Sequence, residues 1–118
     1  MPVRAKRAEA PHNLQLICEA EKRNYDTHGV YAKAGLTPLG APSKRQRPFK
    51  SPNLHEWQQL GWAPEGDVRC QYAVHLTSLD GSDFQGVAKC DTDGDGLYSE
   101  YMMDRECNVT RISDDGLH

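Results

Sequence analysis

Two hydrophobic rhythms divide the chain. Over residues 3–29, in VRAKRAEAPHNLQLICEAEKRNYDTHG, the apolar positions Ala10, Leu14, Ile17, Cys18 and Tyr25 recur at spacings of three, four and seven. That spacing predicts an amphipathic helix with one narrow buried stripe and charged residues on the other face. Pro11 breaks the pattern and is expected to kink or divide the helix. Gly29 is a suitable C-terminal stop. Glu19 and Glu21 read as surface charges of this helix. From residue 68 the period changes to two. In VRCQYAVHLT, Val68, Cys70, Tyr72, Val74 and Leu76 alternate with Arg69, Gln71, Ala73, His75 and Thr77. This predicts a strand with one buried face. Phe84, Gly86, Ala88 and Cys90 repeat the alternation after a turn at Leu79-Asp80-Gly81-Ser82. Leu97, Ser99, Tyr101 and Met103 repeat it again, and a short last strand is expected near Asn108–Ile112.

Between the two rhythms neither period holds. Pro38, Pro42, Pro48, Pro52 and Pro64 mark residues 30–67 as a long irregular αβ connection. Trp57, Leu60 and Trp62 suggest a short helical turn within it, with the two indoles plugging the edge of the core. The basic run SKRQRPFK, carrying Lys44, Arg45, Arg47 and Lys50, reads first as a solvated loop and second as an anion- or partner-binding patch. The expected fold is α+β in a single domain. A helix over 3–29 packs on a three- to four-stranded antiparallel meander over 68–112, followed by a tail at 113–118.

Composition adds a constraint. The chain has 118 residues, of which 37% are hydrophobic, so its core is small. Chains of this kind often need a covalent staple or a partner. The net charge of −3 singles out no partner class and argues against nucleic acid. Four cysteines, Cys18, Cys70, Cys90 and Cys107, form no C-x-x-C pair. Two disulfides in an oxidising compartment are favoured over four reduced thiols. If Leu76 faces Phe84 across the first hairpin, Cys70 faces Cys90 on the inner face, where opposed residues come close enough to bridge. Cys18 then pairs with Cys107. Cys18–Cys70 remains open, because the helix stripe and the sheet face meet. Cys90–Cys107 fits poorly, because the third strand carries the chain away from Cys90.

The stretch CDTDGDGLYSEY carries the most specific chemistry. Numbered from Asp91, the oxygen-bearing positions of a calcium loop fall on Asp91, Asp93, Asp95, the carbonyl of Leu97, and Ser99, with Gly96 sixth. The twelfth position, normally a bidentate Glu, is Met102, and the flanks are strand-like. An EF-hand is therefore excluded as a fold, and the first half of a calcium loop remains. Glu100 or Asp104 would have to complete such a site. The competing reading is a β-turn in which Gly94 and Gly96 supply positive φ and the Asp side chains cap amides.

An N-terminal helix carrying AKRAEAPHNL and EAEKRNY, an irregular αβ connection, and a meander with a DTDGDG turn resemble the type IV pilins. Within that family the chain is most similar to small pilin-like proteins of delta-type bacteria. There, LGWAPEGDVRCQY and VAKCDTDGDGLYSEY would lie in the globular head. The resemblance implies a subunit of an extracellular filament, with roles in adhesion or motility, made at the inner membrane of a Gram-negative cell and passing through the periplasm. Its partners would be copies of itself and related pilins. Pilins begin with an apolar helical segment behind a leader-peptidase site. Neither stands in this sequence, and no run approaches a membrane span or a signal peptide. Met1-Pro2 ahead of a mid-helix sequence is therefore expected to mark removal of the natural N-terminus, leaving a soluble monomer.

No catalytic set emerges. His12, His28, His55, His75 and His118 fall in different elements, no serine stands in a nucleophile elbow, and no cysteine has an evident base. A structural filament subunit, pilin or pseudopilin, is the first expectation. A secreted calcium-dependent binding module is the second, and an enzyme a distant third.

Overall fold

A computed structural model describes residues 3–40, 42, 45–91 and 99–114. Helix α1 spans Val3–His28, and a second helix, α2, spans Leu54–Leu60. The strands are β1 (Ala34–Thr37), β2 (Gln71–Leu76), β3 (Phe84–Cys90), β4 (Ser99–Met103) and β5 (Val109–Asp114). They form one sheet in the order β1-β2-β3-β4-β5, antiparallel at every step. The fold is α+β, as the two rhythms imply.

Helix α1 buries Ala10, Leu14, Ile17, Cys18 and Ala20 against the inner face of the sheet. Tyr25 ends the stripe half-exposed, with its ring 4.6 Å from that of Tyr31, which lies 4.6 Å from Phe84. Pro11 does not divide the helix, which runs unbroken through it. An interior proline costs about 3 kcal/mol. Packing of Ala10 and Leu14 on either side of it offsets that cost. The helix ends where the pattern places its stop. Gly29 takes φ 77°, and its N–H donates to the carbonyl of Tyr25 at 2.7 Å.

The β2–β3 register puts Leu76 opposite Phe84 and continues inward to Gln71 opposite Lys89. On β3 the alternation holds: Phe84, Gly86, Ala88 and Cys90 are buried, and the residues between them are partly exposed. Gly86 leaves room for Met103 of β4 and for Leu14 of the helix. A Cβ there would lie 2.6 Å from Met103 Cε and 3.6 Å from Leu14 Cδ2.

Several expectations are corrected. The sheet has five strands rather than three or four, because β1 forms inside the stretch that reads as loop and pairs with β2 through Ala34↔Val74 and Thr37↔Tyr72. Four residues including a glycine carry too little pattern to reveal a strand. Tertiary contacts hold it: the Trp57 indole donates to Gly35 O at 2.9 Å and to Thr37 Oγ1 at 3.0 Å. The indoles are buried and lie over the edge strand β1, as expected of residues that plug the edge of the core. Trp57 is fully buried, and it packs with Trp62, Phe49 and Tyr72 in a ring cluster whose closest centroids are 5.2 Å apart. The outer face at the start of β2 is also buried. Gln71 donates to the carbonyls of Pro38 and Gly40, so the αβ connection folds over it, and Ala73 is covered too. Leu76, expected inside, is half-exposed, while His75 is exposed as its strand face implies. Finally, β5 reaches Asp114, beyond the expected strand end.

Candidate functional site: the clamped mouth of the acidic loop

The acidic loop leaves the sheet from a rigid base. Cys90 and Ser99 are paired across β3 and β4, so the segment between them opens and closes at one point. Cys90 is bonded to Cys70 with a Cα–Cα distance of 4.4 Å. The backbone at Cys70 is held in turn by α1. Glu9 Oε2 accepts from Cys70 N at 3.0 Å and from the Tyr72 hydroxyl at 2.8 Å, and Glu9 Oε1 accepts from Arg69 N at 2.9 Å. The Arg69 guanidinium lies 4.0 Å from the same carboxylate. Asn13 Nδ2, one turn further along α1, donates to the Tyr72 hydroxyl at 3.0 Å. Burial, followed by the neighbouring Glu9 charge, pushes the Tyr72 phenol well above its ordinary range, so Tyr72 acts only as a neutral hydrogen-bonding group.

Of the expected calcium ligands, Asp91 lies at the mouth of the loop and is buried, with 5% of its surface exposed. Ser99 lies across the mouth, half-buried, with its Oγ 3.4 Å from Arg111 Nη2. Asp93, Asp95 and Leu97 lie outside the described residues. Among the described residues no group of three or more His, Cys, Asp or Glu could hold a metal ion, a statement that leaves out the middle of this loop. Glu100, opposite Lys89, stays near the mouth. Asp104 does not: it lies beyond the far end of β4, where its carboxylate accepts from the N–H groups of Glu106 and Asn108 at 3.0 Å each. Those bonds, from Asn108 first, hold its carboxyl below the usual range. It builds the β4–β5 turn and is too far from the mouth to complete a calcium site there.

The second disulfide joins Cys18 on α1 to Cys107 in that turn, with a Cα–Cα distance of 5.7 Å. Gln15 Nε2 reinforces it by donating to Cys107 O at 2.8 Å. Both bridges follow the pairing set by the hairpin register.

Two carboxylates of α1, one partly and one fully buried, escape the sequence reading. Glu9 carries no distinguishing signal, and Glu21, expected on the surface, is fully buried. Its Oε1 accepts from Ala32 N at 2.8 Å, and no hydrogen-bond partner among the described residues meets Oε2. Burial raises its pKa from 4.5 to about 7. A signal does exist for Glu21, which stands seven residues after Leu14 on the apolar stripe. In the basic run, Arg47 is a brace: it donates to Leu39 O at 2.9 Å, and its backbone pairs with Val68. Arg45 and Lys50 are exposed, and Lys44 lies outside the described residues. No helix among the described residues is long and apolar enough to cross a membrane. No protein-family model, curated protein or solved structure matches the chain.

Proposed function

We propose that this chain is the globular head of a type IV pilin-like filament subunit, a structural rather than catalytic protein. The observation that best supports the reading is the mounting of α1. One unbroken helix of 26 residues lies along the sheet. It is bolted at one end by the Glu9 hydrogen bonds and further along by the Cys18–Cys107 bridge. A helix so fixed serves as a rigid stem for the head. In this reading an apolar helical segment continues α1 upstream and bundles with neighbouring subunits, and the head forms the filament surface. The two disulfides suit passage through an oxidising periplasm to the cell exterior.

Deleting the gene in its source organism and labelling wild-type cells with antibody to the head are the tests. Surface filaments decorated by the antibody and lost on deletion are expected. Unlabelled filaments that survive the deletion would overturn the reading. A pseudopilin is the second reading, favoured by burial of Asp91 at the mouth of an acidic loop, a place where calcium would brace the head. It predicts that deletion blocks protein export and leaves surface filaments intact. A secreted calcium-dependent module acting alone predicts neither defect.

A further inference from the structure

We infer that Asn108 is an acceptor for an N-linked glycan, transferred by an oligosaccharyltransferase from a lipid-pyrophosphate-linked oligosaccharide. The first signal is a spacing. Of the four asparagines, Asn13, Asn24, Asn53 and Asn108, only Asn108 has a hydroxyl residue two positions on, in Asn108-Val109-Thr110, with no proline between them. The spacing has a chemical reason. An amide nitrogen is a weak nucleophile, because its lone pair is delocalised into the carbonyl. Enzymes of this class grip the hydroxyl two residues on while they activate the carboxamide. Bacterial members of the class also read an acidic residue two positions earlier, and Glu106 stands there.

So short a motif arises often by chance, and its placement decides. Asn108 closes the turn between β4 and β5, and the motif runs on into β5, the last strand in the sheet order and therefore an edge. Val109 packs against the core, while Asn108 and Thr110 on either side of it are exposed. Strand alternation thus displays carboxamide and hydroxyl together on the surface. Glu106 is exposed as well. Asn13 shows the contrast: it is buried and donates to the Tyr72 hydroxyl. The turn stands on its backbone and on Asp104 rather than on the carboxamide. Asp104 N donates to Asn108 O at 3.2 Å, and Asn108 N donates to Asp104 Oδ1 at 3.0 Å. Asn108 Nδ2 makes a long contact of 3.5 Å with Asp104 Oδ2. In the transfer Nδ2 attacks C1 of the first sugar, and the bond from C1 to the phosphate oxygen breaks. The lipid pyrophosphate leaves, and one proton of Nδ2 passes to a base of the transferase. Nδ2 keeps its second hydrogen, so the contact with Asp104 survives and the folded turn accommodates the product.

Transfer requires export into the kind of compartment in which disulfides form, a premise shared with the proposed function, and it does not require a filament. The chain purified from the cell-surface fraction of its source organism, reduced, alkylated and cut with trypsin, yields the peptide ECNVTR, Glu106–Arg111. Electron-transfer fragmentation of that peptide is expected to place a sugar mass on Asn108. Made in the same organism, Asn108→Gln and Thr110→Ala should each lose the sugar entirely, and Thr110→Ser should keep it. The serine variant retains the hydroxyl on a smaller side chain, so it separates loss of the motif from loss of the fold. A bare peptide from the wild type, a sugar on Thr110 in place of Asn108, or a Thr110→Ala chain that stays modified would each overturn the assignment. None of these outcomes bears on whether antibody to the head labels filaments.

Discussion

The carboxylate of Glu21, with no exposed surface, accepts one hydrogen bond from the backbone of Ala32, and its second oxygen has no hydrogen-bond partner among the described residues. That single bond ties α1 to the segment leading into β1. The protonated acid is the better occupant of such a site, because burial penalises the charge.

Stability is therefore expected to fall as pH rises. Unfolded Glu titrates near 4.5 and folded Glu21 near 7. Between those values the native state binds the extra proton, so the slope of unfolding free energy against pH is negative. Below the unfolded value the protonated site imposes no penalty; above the folded value the penalty is complete, at up to about 3 kcal/mol. Urea unfolding at pH 5 and pH 8 measures it, and Glu21→Gln should flatten the difference. A Glu21→Gln variant with the same pH slope as wild type would refute the assignment. Asp80 and Asp104, whose pKa values are lowered, lose their contribution only in more acidic solution, outside this window.

The two bridges should differ in worth. Cys18–Cys107 spans 89 residues and Cys70–Cys90 spans 20. By loop-closure entropy the longer constrains the unfolded chain more, by about 4.5 kcal/mol against about 3 kcal/mol. Paired Cys→Ala variants melted under identical conditions should rank in that order. Peptide mapping without reductant should recover these two pairs and no Cys18–Cys70 peptide.

Tyr72→Phe removes a buried hydroxyl that serves Glu9 and Asn13 together. The ring packing survives, so the loss is polar. A cost of about 1–3 kcal/mol is expected, read by urea unfolding. Glu9→Gln combined with Tyr72→Phe should cost less than the two changes summed, because they share one network.

Calcium binding has its own test. Affinity of the extracellular type, with a dissociation constant of about 10⁻⁴–10⁻³ M, is expected for a half-loop of this kind. Calcium at a hundred times that constant should stabilise the fold by about 2.7 kcal/mol. Melting in calcium and in excess chelator reads the shift, and Asp93→Ala should abolish it. Identical wild-type melts would leave the acidic stretch a turn.

What is legible in the sequence is what repeats. The α1 stripe from Ala10 to Cys18 and the alternation from Phe84 to Cys90 each offer several positions in phase, so helix, sheet face and hairpin register follow from them. β1 is hidden because Ala34–Thr37 is too short for a period and is held by Trp57 from another element. Burial of Gln71 and Ala73 is hidden for a related reason: the cover is the Pro38–Gly40 segment, whose path no local pattern encodes. Glu21 misleads because its charge outweighs its spacing. The acidic loop is legible only as chemistry, since ligand spacing shows which oxygens are available and not whether they converge.

The Cys18–Cys107 bridge also makes the domain a closed covalent ring. A pull applied to the start of α1 reaches the β4–β5 turn through that bond. Within this chain, only the 17 residues before Cys18 and the 11 after Cys107 lie outside the ring. They amount to about 100 Å of extended chain. Under tension between its two ends, the oxidised protein unwinds the start of α1, peels β5 from β4 and then stops, because everything from Cys18 to Cys107 is closed by the bridge.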